Sequence, residues 1–387
     1  MCIRDSSDSL VFSFLITKDT FLVAKQPVPK LSTTIAAFRK SILKKDTENF
    51  KRYGRQLYKD LIKPLEGTIT TPNVLIVPDG MLWNLNFDLL LTEDASSNNP
   101  KKLPFLIRKH AISYLNSSQL LETAKDTNAN AQKCLAFSFS QTDTVAKNSP
   151  VKEGNTLSLE VLRSSNADLP GTKKEIKAIS DILEGQYYFG TNANETNFKK
   201  EAPNYDILHL ALHGELDPRN PEYSKLIFTK NTDSSDDGAL YAHELFSMEL
   251  PAKLAVLSAC NTGSGKTTSG EGIMSLGTAF RHAGVESLVL TNWEISDRST
   301  PTIMTQFYGN LQNGMTKSEA LQKAKLSFLD DADPNYAHPM YWGGLYIVGN
   351  PNALHETNAF QYVLFIVLGI AILGIAILLT KTQLRHD

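Results

Sequence analysis

With 387 residues, of which 42% are hydrophobic, 9% aromatic and 21% charged, the chain holds enough apolar material for a substantial core, which excludes global disorder. A formal charge of -2 and the lack of a long Lys/Arg run exclude an electrostatic case for nucleic-acid binding. Cys2, Cys134 and Cys260 are too few for a disulfide framework and are compatible with a reducing compartment.

Residues 1–8 (MCIRDSSD) contain no apolar h-region, so they form neither a signal peptide nor a membrane span. They are similar to adapter-derived starts of gene fragments, and the natural protein is expected to begin further upstream. Residues 10–17 and 21–25, around Lys18-Asp19-Thr20, predict a hairpin with Val11, Leu15 and Leu22 in its apolar alternation. Residues 30–65 predict two amphipathic helices. Buried strands are predicted at 74–77, closed by Pro78-Asp79-Gly80, and at 135–139. Residues 141–168 are polar and poor in large apolar side chains, which predicts a mobile loop. Thr172 and Glu175, three apart behind Leu169-Pro170-Gly171, predict a capping box with Ile176, Ile179 and Leu183 lining one helix face. Further strands are predicted at 207–212, 254–259, 287–290 and 345–348. Short apolar strands separated by helix-length intervals predict a mostly parallel sheet covered on both faces.

The other terminus differs. YVLFIVLGIAILGIAILL (362–379) carries no charge and, at about 1.5 Å per residue, is close to the length of a bilayer core. A transmembrane helix is therefore expected over 360–380, with a short basic tail at 381–387. Lys381 and Arg385 follow the span and no Lys or Arg lies between Leu326 and it, a bias that puts the tail in the cytoplasm and the soluble domain on the other side.

Two predicted strands each deliver a reactive residue at the carboxyl end, where open parallel sheets place their chemistry. ILHLAL leads to His213-Gly214, and LAVLSA leads to Cys260, with the His roughly 50 residues upstream of the Cys. A free thiol has a pKa of about 8.5, so an adjacent imidazole that takes its proton raises the reactive thiolate fraction. The Gly214 and Cys260 N–H groups could then face an oxyanion. A small core cysteine and a strand-end histidine are the plain alternative. Two other chemistries fit the same residues less well. GSGKTT (263–268) contains the GKT of a phosphate-binding loop, but the required first glycine falls on Cys260, which leaves a flexible loop with a chance GKT. His209 and His213 would lie ~13 Å apart along one strand, too far to share a metal, so His209 is expected to pack beneath the site.

ILHLALHGELD (207–217), LAVLSACNTGSG (254–265), GEGIMSLGTAFRHAGVESLVLTNWEISD (270–297) and YWGGLYIVGNP (341–351) resemble the CHAT domain, a caspase-like module of the caspase and separase clan. VLIVPDGMLWNLNFDLL (74–90), IRKHAISYLNSSQLL (107–121) and LPGTKKEI (169–176) agree in order. The resemblance implies a caspase-like α/β/α sandwich over residues 9–355, with His213 and Cys260 as the dyad, Gly214 in the oxyanion region, and no metal or cofactor. It also implies a tetratricopeptide-repeat sensor region upstream. Trp293 and Asp297 match a family Trp and Asp motif. Asp297, or Glu294, could pair with a substrate Arg or Lys, while Asp297 could equally cap a helix beginning nearby. Lys147, Lys152 and Arg163 would then make 141–168 a candidate for self-cleavage. The expectation is a membrane-anchored cysteine endopeptidase acting on protein or peptide substrates in signalling or defence. The alternative is a non-enzymatic caspase-like interaction module.

Overall fold

The computed structural model describes residues 2–7, 9–116, 133–139, 170–217, 219–230, 236–258, 266–268, 272–274, 276–293, 296 and 298–354. The chain opens with β1 (Cys2–Ser7), β2 (Leu10–Ile16) and β3 (Phe21–Pro27), which form a separate antiparallel sheet. The predicted hairpin pairs Ile16 with Phe21 and Leu10 with Pro27, and Val11, Ser13 and Leu15 face inward. Residues 2–7, expected to be a non-native start, extend this sheet by pairing antiparallel with β2. The two predicted helices are α1 (Leu31–Leu43) and α2 (Thr47–Leu61), the latter capped by the Asp46 carboxylate, which accepts from Asn49 N–H at 3.1 Å. Leu31, Ile35, Phe38 and Ile42 form the buried stripe of α1, and Phe38 stacks on Phe50 of α2.

The remaining strands are β4 (Asn73–Ile76), β5 (Ala111–Tyr114), β6 (Cys134–Ser138), β7 (Gly185–Tyr188), β8 (Ile207–Ala211), β9 (His213–Glu215), β10 (Lys225–Ile227), β11 (Ala239–Tyr241), β12 (Leu254–Leu257), β13 (Lys266–Thr268), β14 (Gly272–Met274), β15 (Ser287–Thr291) and β16 (Leu345–Gly349). Between them lie α3 (Pro170–Ser180), α4 (Glu195–Glu201), α5 (Ala242–Leu245), α6 (Leu276–His282), α7 (Thr300–Gln312) and α8 (Lys317–Asp331). Eight strands make the central sheet, in the order β4-β5-β16-β15-β12-β8-β6-β7. Every neighbouring pair is parallel except β15 with β16, so the sheet is the mostly parallel α/β sheet expected, divided into two blocks that run in opposite directions. The carboxyl ends of β6, β8, β12 and β15 consequently lie along one edge. β5, β6, β8, β12, β15 and β16 are buried throughout, as strands covered on both faces must be. On one face His209 meets α3 and α7. On the other, Phe137 of β6 packs on Phe198 of α4, which in turn meets Phe280 of α6.

Three local expectations change. Residues 74–77 are not a fully buried strand, because β4 is the sheet's edge and only Ile76 is completely covered. β5 and β7, where no strand was expected, are four residues each, too short for a periodic signal, and are held by their neighbours. The capping box at Thr172 and Glu175 does not form: α3 begins upstream, at Pro170, and both side chains turn toward the sheet. Among the described residues no helix is long and apolar enough to cross a membrane; the span expected at 360–380, the tail at 381–387 and the loop at 141–168 lie outside them.

Candidate active site

The site is built at the edge where β6, β8, β12 and β15 end. β8 is hydrogen-bonded on both sides, Ala211 pairing with Ser138 and Leu210 with Leu257. Its pairing stops at Ala211. After Leu212 the chain turns off the main sheet, and His213 is the first residue of a further strand, β9, where a loop was expected. β9 pairs antiparallel with β10, with His213 opposite Ile227 and Gly214 opposite Leu226, and β11 completes this small sheet. The change of direction separates the two imidazoles. His213 is 6% exposed and lies edge-on against the Phe139 ring, centroids 4.6 Å apart, just beyond β6. His209, expected beneath the site, is completely buried within β8.

The surroundings of His209 are polar and connected. Tyr308 Oη of α7 lies 2.9 Å from His209 Nδ1, and Glu175 Oε1 of α3 lies 3.0 Å from His209 Nε2. The second carboxylate oxygen, Oε2, accepts from the Ser258 hydroxyl at 3.2 Å. Strand periodicity explains the convergence: His209 is in register with Val256 of β12, and Ser258, two residues on, presents its side chain to the same face. Burial pushes the Tyr308 phenol well above its ordinary value, so it stays a neutral hydroxyl that can donate to Nδ1, leaving Nε2–H to donate to Glu175. Thr172, one turn before Glu175, donates to the Phe139 carbonyl at 3.1 Å and sits 2.9 Å from the Ser138 hydroxyl. One helix face thereby touches β6, β8 and β12, and through Phe139 it backs the ring against which His213 rests.

Trp293 follows β15 at the same edge. It is 3% exposed, and its indole N–H donates to the Met340 carbonyl at 2.9 Å. Arg39 of α1 reaches across and donates to the Asn292 carbonyl beside it. α7 starts at Thr300 with Ser299 at its N-cap position and no cap hydrogen bond from the Ser299 side chain. The flexible loop expected around GKT is corrected too: Lys266–Thr268 is β13, paired antiparallel with β14, where a phosphate-binding loop would enter a helix. Cys260, Glu294 and Asp297 lie outside the described residues, two positions beyond Ser258 in the case of Cys260. Among the described residues no three His, Cys, Asp or Glu side chains are grouped to hold a metal ion. Cys134 of β6 is fully buried, and burial pushes its thiol up to about 12, well away from the range of a reactive thiol.

Of the expected site residues, His213, Gly214 and Trp293 are gathered at one edge with the strand that leads to Cys260. Sequence reasoning missed Glu175, Ser258, Tyr308 and Phe139 as parts of this region. Glu175 is visible in the sequence, where its spacing from Thr172 is that of a capping box. The signal that could have corrected it is a carboxylate three residues behind Thr172 on the same helix face as Ile176 and Ile179, which are buried core positions.

The human protein "Tetratricopeptide repeat protein 28" is 22% identical over 355 residues, covering 79% of this chain and 13% of its own length. The mouse protein of the same name is 21% identical over 227 residues, covering 49% of this chain and 9% of itself, so the chain spans only a small part of these relatives. Among solved structures, the Arg specific cysteine proteinase gingipain R covers 80% of this chain and 68% of its own at a TM-score of 0.47 and 9% identity. The Saccharomyces cerevisiae separase-securin complex covers 72% of this chain and 15% of its own, with a TM-score of 0.42 and 12% identity. The CHAT domain family model matches residues 51–350, well over half of the sequence, and this chain belongs to that family.

Proposed function

We propose that this CHAT domain is a cysteine endopeptidase in which Cys260 is the nucleophile and His213 its base. The observation that carries the reading is that His213 emerges from the carboxyl end of β8 beside the end of the adjacent parallel strand β12, the strand that leads to Cys260. In the first half-reaction His213 takes the thiol proton and sulfur bonds to the substrate carbonyl carbon. Collapse of the tetrahedral intermediate breaks the C–N bond, and the imidazolium gives its proton to the departing amine. Water then attacks the thioester, passing a proton to His213, which returns it to the sulfur as the acid product leaves. The Gly214 and Cys260 N–H groups serve the oxyanion. Trp293 forms a wall of the first substrate pocket, and Asp297 or Glu294 supplies a carboxylate for a substrate Arg or Lys. Residues 362–379 anchor the domain to a membrane, and an upstream tetratricopeptide-repeat region supplies the sensor.

The test is labelling of the full chain, in a Cys2→Ser background, by a peptide ketone probe with Arg next to the electrophile. His213→Ala is expected to slow labelling by at least about 100-fold, as loss of an acid–base partner does, and Cys260→Ala to abolish it. Labelling that proceeds equally well without His213 would overturn the dyad and leave the chain as an interaction module of this fold. Equal labelling by a probe with Asp in place of Arg would sink the pocket carboxylate alone.

A further inference from the structure

The dyad reading leaves the buried group Tyr308–His209–Glu175–Ser258 without a task. The four residues contain the side-chain types of a hydrolase triad, but their order rules that chemistry out. Glu175 stands between His209 and Ser258, so the serine hydroxyl donates to the carboxylate and not to the imidazole, which is not the Ser-His-acid order of a triad. His209 is completely enclosed, its two ring nitrogens held by Tyr308 and Glu175. A carboxylate placed at this depth is costly unless its oxygens are hydrogen-bonded, and here both are.

What the group joins is more informative than what it contains. His209 lies in the strand that ends just before His213, and Ser258 lies at the end of the strand that leads to Cys260. Backbone pairing of β8 with β12 runs from Leu254↔Ile207 to Leu257↔Leu210 and ends there. There Leu212 leads off the main sheet to His213, Ser258 is the last described residue before Cys260, and the Glu175 carboxylate is a side-chain bridge between His209 and Ser258 at that boundary. Its helix also holds the Phe139 carbonyl through Thr172, and the Phe139 ring bears on His213. We infer that Glu175 is a positioning residue, which fixes the end of β12 against β8 and thereby sets the distance from the Cys260 thiol to the His213 imidazole. This role rests on the dyad proposed above. It requires two hydrogen bonds of the right geometry and does not require charge: a Gln at 175 can accept from His209 with its oxygen and donate its amide to Ser258 Oγ.

The experiment is the rate of Cys260 alkylation by iodoacetamide, read by peptide mass spectrometry in the full chain with Cys2→Ser, across about pH 4 to about pH 10. The parent is expected to show His213-dependent reactivity well below the ordinary thiol range. Glu175→Ala should slow the neutral-pH rate by at least about tenfold and return the profile toward that of a free thiol, the cost of a small misplacement. Glu175→Gln should restore most of the parental rate. Ser258→Ala removes one hydroxyl with little demand on folding and should lower the rate about threefold, in the same direction, a partial misplacement of the same kind. A Glu175→Ala chain with parental circular dichroism that keeps the His213-dependent profile overturns the positioning role and spares the dyad. An unchanged Ser258→Ala profile does the same should Glu175→Ala fail to fold, and failure of Glu175→Gln to rescue also overturns it. A parent without any His213 dependence removes the dyad, and the positioning role with it.

Discussion

The chain buries ionisable side chains in both halves of its sheet, and the two solutions differ. On the side of β4, β5 and β16, Lys325 of α8 reaches Asp88 at 2.6 Å, both residues almost completely enclosed. Asp88 Oδ2 is satisfied, while Oδ1 has no hydrogen-bond partner among the described residues. On the side of β6, β8 and β12, Glu175 has a partner for each oxygen, and the partners stand on two different strands. A single pair fastens one helix to one turn, and its desolvation cancels much of its attraction. A saturated branch fixes the positions of several elements relative to each other, which is what a site assembled from separate strand ends needs.

The largest effect is expected at Lys325. Lys325→Met leaves Asp88 buried and unpaired, and urea unfolding should show a loss of about 3–5 kcal/mol. The Cys260 alkylation profile of the folded fraction should stay parental, because no strand end depends on this pair. Adding Asp88→Asn should recover part of the loss, and a changed alkylation profile would show that the two halves are coupled.

His338 offers a second, milder contrast, since it has the partners of neither group. Its Nδ1 accepts from Met340 N–H at 3.2 Å, Nε2 has no partner among the described residues, and burial, with the Lys45 ammonium nearby, pushes its pKa down from 6.5 to about 4. Between those values the folded chain binds fewer protons at this ring than the unfolded chain. The stability it contributes is fully present above pH 6.5 and is lost as the pH falls through that window, by about 3 kcal/mol at the limit. His338→Gln should flatten this segment of a stability–pH curve; an unchanged slope would assign the acid sensitivity elsewhere.

The smallest effect is expected at Tyr308. Tyr308→Phe removes one buried hydroxyl from the far end of the branch and should cost about 1 kcal/mol, measured by thermal unfolding. It leaves both Glu175 bonds in place, so Cys260 reactivity should change far less than in Ser258→Ala. The reverse order would place the control of the site in α7 and not in α3.

Much of this protein can be read from residue order alone. Apolar runs such as LAVL and SLVL declare buried strands because a strand covered on both faces has no polar side to show. The ordered CHAT-like phrases single out the family, and the positions of His213-Gly214 and Cys260 behind such runs suggest the proposed dyad. Periodicity cannot say which strand the chain pairs with after a turn, and that is why His213 reads as a loop residue behind β8 although it begins β9. Nor can it tell a cap from a core anchor. Thr172 and Glu175 have the spacing of a capping box, yet their side chains face β6, β8 and β12, and only the packing of α3 onto the sheet decides between those uses. Local sequence determines what a residue can donate or accept; the placement of α3 over three strands, distant in sequence, decides which partners Glu175 meets.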